Sequence, residues 1–327
     1  MSPGWLGVAL AVALVIVVGL SLTLGAAALS PAEVWSALMA RLGGTTVDPL
    51  LAGIVWDLRM PRILTAALVG AGLGVAGVVM QAVTRNPLAD PYLLGLSSGA
   101  SFGAVAVLLA GLSFLLPVAA FAGALIAAAA ALGLAAAMGG LTPSRTVLAG
   151  VAVSAFAAAL TSFVVFWFAT GDTYREVLSW LLGSVAGARW PEVSIAAVSF
   201  LIAGLPLLMT GRLLDAFAFG DTSAAALGVH VPRTRWLMLG LTALLTGGLV
   251  SVSGSIGFVG LVLPHVVRLL VGPGHRALLP LSALAGAVFL VLADTIARTV
   301  FDPRELPGGG ITALVGAPVF ALLLLRS

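Results

Sequence analysis

Few residues in this chain could carry bond chemistry, and the missing types narrow the choice before the present ones do. All fifteen basic residues are arginine, and there is no cysteine. Within these 327 residues a phosphate-loop lysine, a Schiff-base lysine, a disulfide, a thiolate metal site and a cysteine nucleophile are therefore excluded. The nearest match to a nucleophile motif is Gly95-Leu-Ser-Ser-Gly99, which fits G-x-S-x-G and raises a serine hydrolase using Ser97 with His230, His265 or His275. Such elbows belong on a strand-turn-helix, and nothing around Ser97 reads as strand. His265 follows Pro264 and reads instead as organising a helix end. No two histidines share metal-ligand spacing with a carboxylate, so no bound metal is expected.

The elements that must position these residues follow from composition. Apolar residues make up 61% of the chain and charged residues 8%, where a soluble domain has about half and about a quarter. A mean hydropathy of +1.20, with charges spread along the whole length, requires many apolar stretches. Alanine, leucine, valine and forty glycines dominate without period-2 alternation, so the spans are expected to be helices and not barrel strands. The expectation is an all-α polytopic membrane protein of about ten transmembrane helices, one transmembrane domain over 1–327. The candidate spans are 5–29, 63–83, 92–110, 113–138, 146–169, 193–211, 236–253, 256–271, 277–297 and 308–325. The first is read as a retained span and not a signal peptide. At about 20 residues per crossing, 256–271 is short and is expected to be tilted, broken or shielded.

The longest polar connections are 30–62, 170–192 and 212–235. Ala67, Gly70, Ala71, Gly74 and Gly77 form a small-residue stripe that permits close helix contact. Proline-marked breaks at Asn86-Pro87 and Leu263-Pro264 hint at an internal repeat. If the N-terminus is cytoplasmic, eight arginines (85, 145, 212, 233, 235, 268, 276, 326) lie inside and seven (41, 59, 62, 175, 189, 298, 304) outside, so the positive-inside rule barely decides orientation. At this charge density the net +3 is not a nucleic-acid signal.

Longer motifs carry more. Arg59-Met-Pro-Arg62, Val69-Gly-Ala-Gly72, Gly77-Val-Val-Met-Gln81 and Asn86-Pro-Leu-Ala-Asp-Pro-Tyr-Leu-Leu-Gly-Leu-Ser-Ser-Gly-Ala100 resemble the FecCD family, the membrane subunits of ABC importers for iron-siderophores, haem and vitamin B12. The resemblance continues through Leu148-Ala-Gly150, Trp180-Leu-Leu-Gly183 and Gly257 to Arg268. It closes on Ala293 to Arg298, Glu305-Leu-Pro307 and Thr312 to Pro318. It implies a ten-helix type II importer permease acting as a homodimer in the inner membrane of a prokaryote. Two separate ATPase subunits would carry ATP and Mg, an extracytoplasmic binding protein would deliver substrate, and the chain itself would bind no cofactor.

The resemblance also implies roles. Asn86 and Leu88 would face the pathway at the cytoplasmic gate. From the residues alone, Asn86-Pro87 and Asp90-Pro91 force a backbone break; a simple interhelical turn capped by Asn and Asp is the lesser alternative. Thr142-Pro-Ser-Arg145 resembles the second gate element, with Pro143 where the family has a polar residue, leaving Thr142 and Ser144 as the polar groups. Residues 213–228, within the loop 212–235, resemble the coupling helix that docks on the ATPase, through Leu214, Phe217, Asp221, Thr222, Ala225, Leu227 and Gly228. Asp221 or Thr222 would cap that short helix and Gly228 would end it; an interfacial amphipathic helix fits the periodicity as well. Arg59, Arg62 and Arg298 would dock acidic residues of the binding protein, or else snorkel to the interface beside Asp57 and Asp294.

The expected function is the permease half of an ATP-driven importer of an iron-siderophore, or else haem or cobalamin. An ion-coupled secondary transporter is the alternative, disfavoured because the spans contain almost no acids apart from Asp294. The chain on its own is expected neither to bind nor to hydrolyse ATP. Nucleotide binding and phosphate release by the purified permease check this, and intrinsic turnover would contradict it.

Overall fold

Among residues 2–25, 27–43, 46–300 and 305–325, which the computed structural model describes, there is no strand. Arg304 and Arg326, counted in the charge balance above, lie outside the described residues. The helices in order are α1 (Pro3–Thr23), α2 (Pro31–Gly43), α3 (Pro49–Gly53), α4 (Met60–Thr84), α5 (Leu96–Leu109), α6 (Leu116–Ala137), α7 (Pro143–Phe168) and α8 (Gly171–Leu181). There follow α9 (Trp190–Ser199), α10 (Leu205–Leu208), α11 (Gly211–Ala218), α12 (Asp221–Ala226), α13 (Val231–Ser253), α14 (Val259–Val271), α15 (His275–Thr299) and α16 (Gly308–Leu324). Through π-helical stretches, Ile54–Arg59 joins α3 to α4 as one rod and Phe200–Gly204 joins α9 to α10.

Among the described residues ten apolar helical units fall on the expected spans in number and order. Seven are long, and α5, α14 and α16 are shorter. At 1.5 Å per residue the 14 residues of α5 and 13 of α14 fall short of about 30 Å of hydrocarbon. Non-helical backbone leads into both: a 3-10 turn (Pro91–Leu94) before α5, and residues 254–258 before α14. Backbone of that kind is tolerated at depth only where protein encloses it. Here Tyr92 Oη donates to Ile256 O at 3.0 Å, and Ser97 Oγ meets Ser255 Oγ at 2.6 Å.

Prolines mark beginnings more often than breaks. A proline stands in the first two positions of α1, α3, α7, α9 and α13, where the missing N–H would have had no helical partner. Pro264 lies inside α14. The expected break at Leu263-Pro264 is therefore incorrect: the chain breaks at 254–258, where Gly254 and Phe258 take φ of 64° and 68°. The first span also stops earlier than expected, at Thr23.

The rod ending in α4 is the centre of the bundle, with 78% of its membrane window buried against 22% for α7. Its small-residue stripe packs backbone on backbone. A Cβ on Gly70 would lie 2.1 Å from Gly286 O of α15, one on Gly74 2.3 Å from Ser282 O, and one on Gly77 1.9 Å from Gly260 O of α14. Polar links reinforce the last contact: Gln81 donates to Leu261 O at 3.1 Å and accepts from Arg268 Nη2 at 2.8 Å. In lipid, where apolar burial barely distinguishes protein from solvent, such close approach is the main source of helix affinity.

Gly74→Val is expected to destabilise the fold by about 3 kcal/mol, because the obstruction is backbone that cannot rotate away. Gly240→Val, with nothing within 4 Å of its Cβ, is expected to be near neutral. Thermal unfolding of the two variants in detergent checks this.

Candidate functional site

Polar side chains gather at the two ends of the bundle. At one end the π-helical stretch before α4 ends on Arg59, Arg62 follows in the first turn of α4, and both are buried. Arg62 Nε lies 2.8 Å from Asp294 Oδ2 and 3.1 Å from Oδ1, its Nη2 is 3.0 Å from Oδ1, and its Nη1 reaches Glu305 Oε2 at 2.8 Å. Arg59 donates to Leu22 O and Ala27 O, and Arg298 to the carbonyl and hydroxyl of Ser21. Ser21 and Leu22 belong to the last turn of α1, whose carbonyls have no helical donor and favour cations. With Arg189 and Glu305, the three arginines line a cavity of about 410 Å³.

All three arginine residues are less than 8% exposed. None of the three stands free on the surface: Arg59 and Arg298 close the end of α1, and Arg62 holds Asp294 and Glu305. Asp294, expected as a neighbour of Arg298, is held by Arg62. Arg189 and Glu305 of the cavity are not marked as site residues by the sequence, since each stands in a connection between helices. The rim is fixed by tryptophans. Trp56 stacks on Trp190 at 6.4 Å, Arg41 lies 5.3 Å from the Trp56 ring, and the two indole N–H groups donate to Ala37 O and Trp56 O.

At the opposite end Asn86, Leu88, Thr142 and Ser144 stand on two turns. Arg85 ends α4 in the left-handed region at φ 50°, after which Asn86 Oδ1 accepts from Leu88 N and Asp90 Oδ1 from Tyr92 N. Burial pushes the Asp90 carboxyl up to about 6, against the hydrogen bond from Tyr92 N. Leu88 is exposed and Asn86 half-buried. Thr142 caps α7, accepting from Arg145 N at 3.4 Å, and Pro143 sits at the helix start. Pro143 therefore shapes a helix entry and leaves Thr142 and Ser144 exposed beside it.

The segment 213–228 folds as two short helices, α11 and α12. Two expected coupling residues are corrected: Leu214 and Phe217 are fully buried, because the amphipathic α11 turns that face to the core. Thr222, Ala225, Leu227 and Gly228 are exposed. The expected cap is also corrected. Gly220 is the N-cap of α12 without a side-chain bond, and Asp221 instead accepts from Arg235 Nη2 at 2.8 Å and Nη1 at 3.2 Å. Gly228, at φ 84°, ends the helix as expected: its N donates to Ala225 O and Val229 N to Ala224 O. Asp215 of α11 accepts from both the backbone N and Nδ1 of His275 at the start of α15.

Among the described residues Ser97 is not hydrogen-bonded to a histidine, and the buried His265 Nδ1 has no hydrogen-bond partner. The hydroxyl partner of Ser97 is Ser255, while His275 is engaged by Asp215 and His230 caps α13 by accepting from Arg233 N. Among the described residues no three His, Asp or Glu gather as metal ligands.

Arg62→Met is expected to cost about 3–5 kcal/mol, since it strands Asp294 as a buried unpaired carboxylate. Adding Asp294→Leu should recover part of that loss. Thermal unfolding of the single and double variants measures the difference.

Comparison with known proteins agrees with this arrangement. A model of the FecCD transport family matches residues 13–326. The ABC transporter permease protein YvrB of Bacillus subtilis is 47% identical over 286 residues, covering 85% of this chain and 80% of its own length. The vitamin B12 import system permease protein BtuC of Vibrio cholerae is 41% identical over 313 residues, covering 94% and 90%. A solved structure described as an inward-facing metal-chelate type ABC transporter superposes with a TM-score of 0.86 at 33% identity, covering 98% of this chain and 99% of that one. Among the described residues, seven helices long and apolar enough to cross a membrane with three shorter apolar ones, polar groups gathered at the ends of the bundle and a family match over nearly the whole length lead to one assignment: the chain belongs to the FecCD transport family, as a multi-pass membrane permease of the ABC importer class.

Proposed function

We propose that two copies of this chain, surrounded by membrane lipid, form the path of an ATP-driven importer for an iron-siderophore or a related large chelate such as haem or cobalamin. The observation that carries the reading is the division of polar groups between the two ends of one bundle, with no bond-making constellation between them among the described residues. Each end fits a different partner. The cavity at Arg59, Arg62 and Arg298 has more arginines than acids, so it suits carboxylates on the lobes of a substrate-binding protein, because a guanidinium fork pairs with them bidentately and keeps its charge. The half-exposed Glu305 is the internal carboxylate such a group would meet first.

The opposite end suits an ATPase. Thr222, Ala225 and Leu227 present an uncharged face on α12, with Phe219 exposed beside it. In this reading ATP and Mg sit on two partner subunits. Their closure moves the coupling segments and shifts the bundle between outward-open and inward-open states, with Asn86, Leu88, Thr142 and Ser144 at the constriction. The vitamin B12 relative and the metal-chelate structure support a bulky chelate as cargo. Phe156, Phe163 and Phe166 of α7 are exposed in the single chain, as a face against a second copy or lipid requires.

The test is uptake by vesicles holding the permease, its ATPase and its binding protein. Labelled cobalamin and a ferric siderophore are offered with ATP or with an ion gradient alone. Uptake of one of them that requires ATP is expected; uptake driven by the gradient without ATP would establish the secondary-transporter alternative instead. Ala225→Arg, which puts charge into the proposed docking face, is expected to lower co-purification of the ATPase at least about tenfold while leaving the melting temperature of the permease unchanged.

A further inference from the structure

Arg235 stands where four elements meet. It is carried by α13 and its side chain is 5% exposed. Its two terminal nitrogens hold Asp221 of α12, Nη1 also donates to Leu141 O at 2.9 Å, and the guanidinium lies 5.5 Å from the Phe217 ring of α11. Leu141 directly precedes Thr142. On the far side of the same carboxylate, Arg85 Nη2 is 3.9 Å from Asp221 Oδ1, and Arg85 directly precedes Asn86. One aspartate on the segment proposed to couple to the ATPase thus lies between two arginines, each joined to one of the two turns proposed as the gate.

We propose that Arg235 is a positioning residue that transmits movement of α12 to the gate turn at Leu141–Thr142, with Asp221 and Arg85 extending the link to the turn at Asn86. The proposal rests on the importer reading above. Only arginine fits the place, because a planar fork can grip a carboxylate with two nitrogens and still offer a hydrogen to a carbonyl. The turn it grips is built on two glycines and tied to α7 by Arg145. Gly139 and Gly140 take φ of 102° and 116°, and the carbonyl of Gly139 is held in turn by Arg145 Nη1 at 2.7 Å. The two halves of the link differ in strength. The contacts of Arg235 with Leu141 and Phe217 are buried, whereas the Arg85 and Asp221 side chains are 44% and 39% exposed, so their pairing is weak and exchangeable. The buried half carries displacement, and the exposed half makes and breaks between states.

The test uses the complete complex in vesicles and reads the number of ATP molecules hydrolysed per substrate molecule moved. Arg235→Gln removes the charge and the fork. Arg235→Lys keeps a charge opposite Asp221 but replaces the planar two-nitrogen grip on the carboxylate by one rotatable ammonium, so the rigid bidentate hold is lost. Both are expected to raise the ratio about tenfold, a coupling loss within the usual range for contacting groups, with the ATPase still co-purifying. The lysine variant carries the test if the glutamine variant does not fold. A wild-type ratio in either folded complex, or transport and hydrolysis falling in proportion, would overturn the proposal, because a strut that only supports the fold leaves the ratio unmoved. Failure of the importer reading is seen separately, as a wild-type complex with no ATP-dependent uptake.

Discussion

The rest of the structure depends on the contact of α4 with α15 and α14, made through glycines whose missing side chains let backbone meet backbone. A bilayer offers little hydrophobic gain for bringing helices together, so close van der Waals fit has to supply the affinity. What this contact fixes is long-range geometry. The same α4 rod carries Arg59 and Arg62 near one end and Arg85 at the other. The antiparallel α15 carries Asp294 and Arg298 beside the first pair and His275 at the opposite end, bonded to Asp215. Both polar assemblies are mounted on one scaffold.

Those assemblies are built differently, and the difference suits their proposed uses. Around Arg62 the partners are deeply placed, with Asp294 1% exposed, so the pair resists disturbance and breaking it from one side is costly. Around Asp221 the carboxylate is partly wet and shared between two arginines, where ion pairs are worth about 1 kcal/mol or less. A rigid receptacle at one end and an adjustable joint at the other is what a bundle needs if one end receives cargo and the other receives mechanical work.

Much of this was legible in the sequence. Apolar stretches located ten crossings, and the motifs from Arg59 to Pro318 resembled the family that the comparison then matched over residues 13–326. The Asn86 and Asp90 turns were readable because proline acts locally. What stayed hidden is decided by tertiary contact. A segment as short as α11 does not reveal which face meets the core, so Leu214 and Phe217 were read as docking residues although they are buried. Asp221 looked like a cap because caps are local, while its actual partner lies fourteen residues on and across a turn. Pro264 resembled a break, yet its neighbours accommodate it inside α14, and the true interruption at 254–258 has no proline at all. The π-helical stretch that ends on the buried Arg59 is likewise not announced by composition.

The central claim is that both ends hang on the glycine contact, and amide hydrogen exchange of a Gly286→Val variant tests it most directly. A Cβ at Gly286 would lie 2.0 Å from Gly70 O, midway between the two polar ends. If the scaffold couples them, exchange should quicken together at both ends: in residues 20–24, beside Arg59 and Arg298, and in residues 139–146 and 214–228, around Arg235. Faster exchange confined to α4 and α15 near residues 70 and 286, with both ends unchanged, would contradict the account.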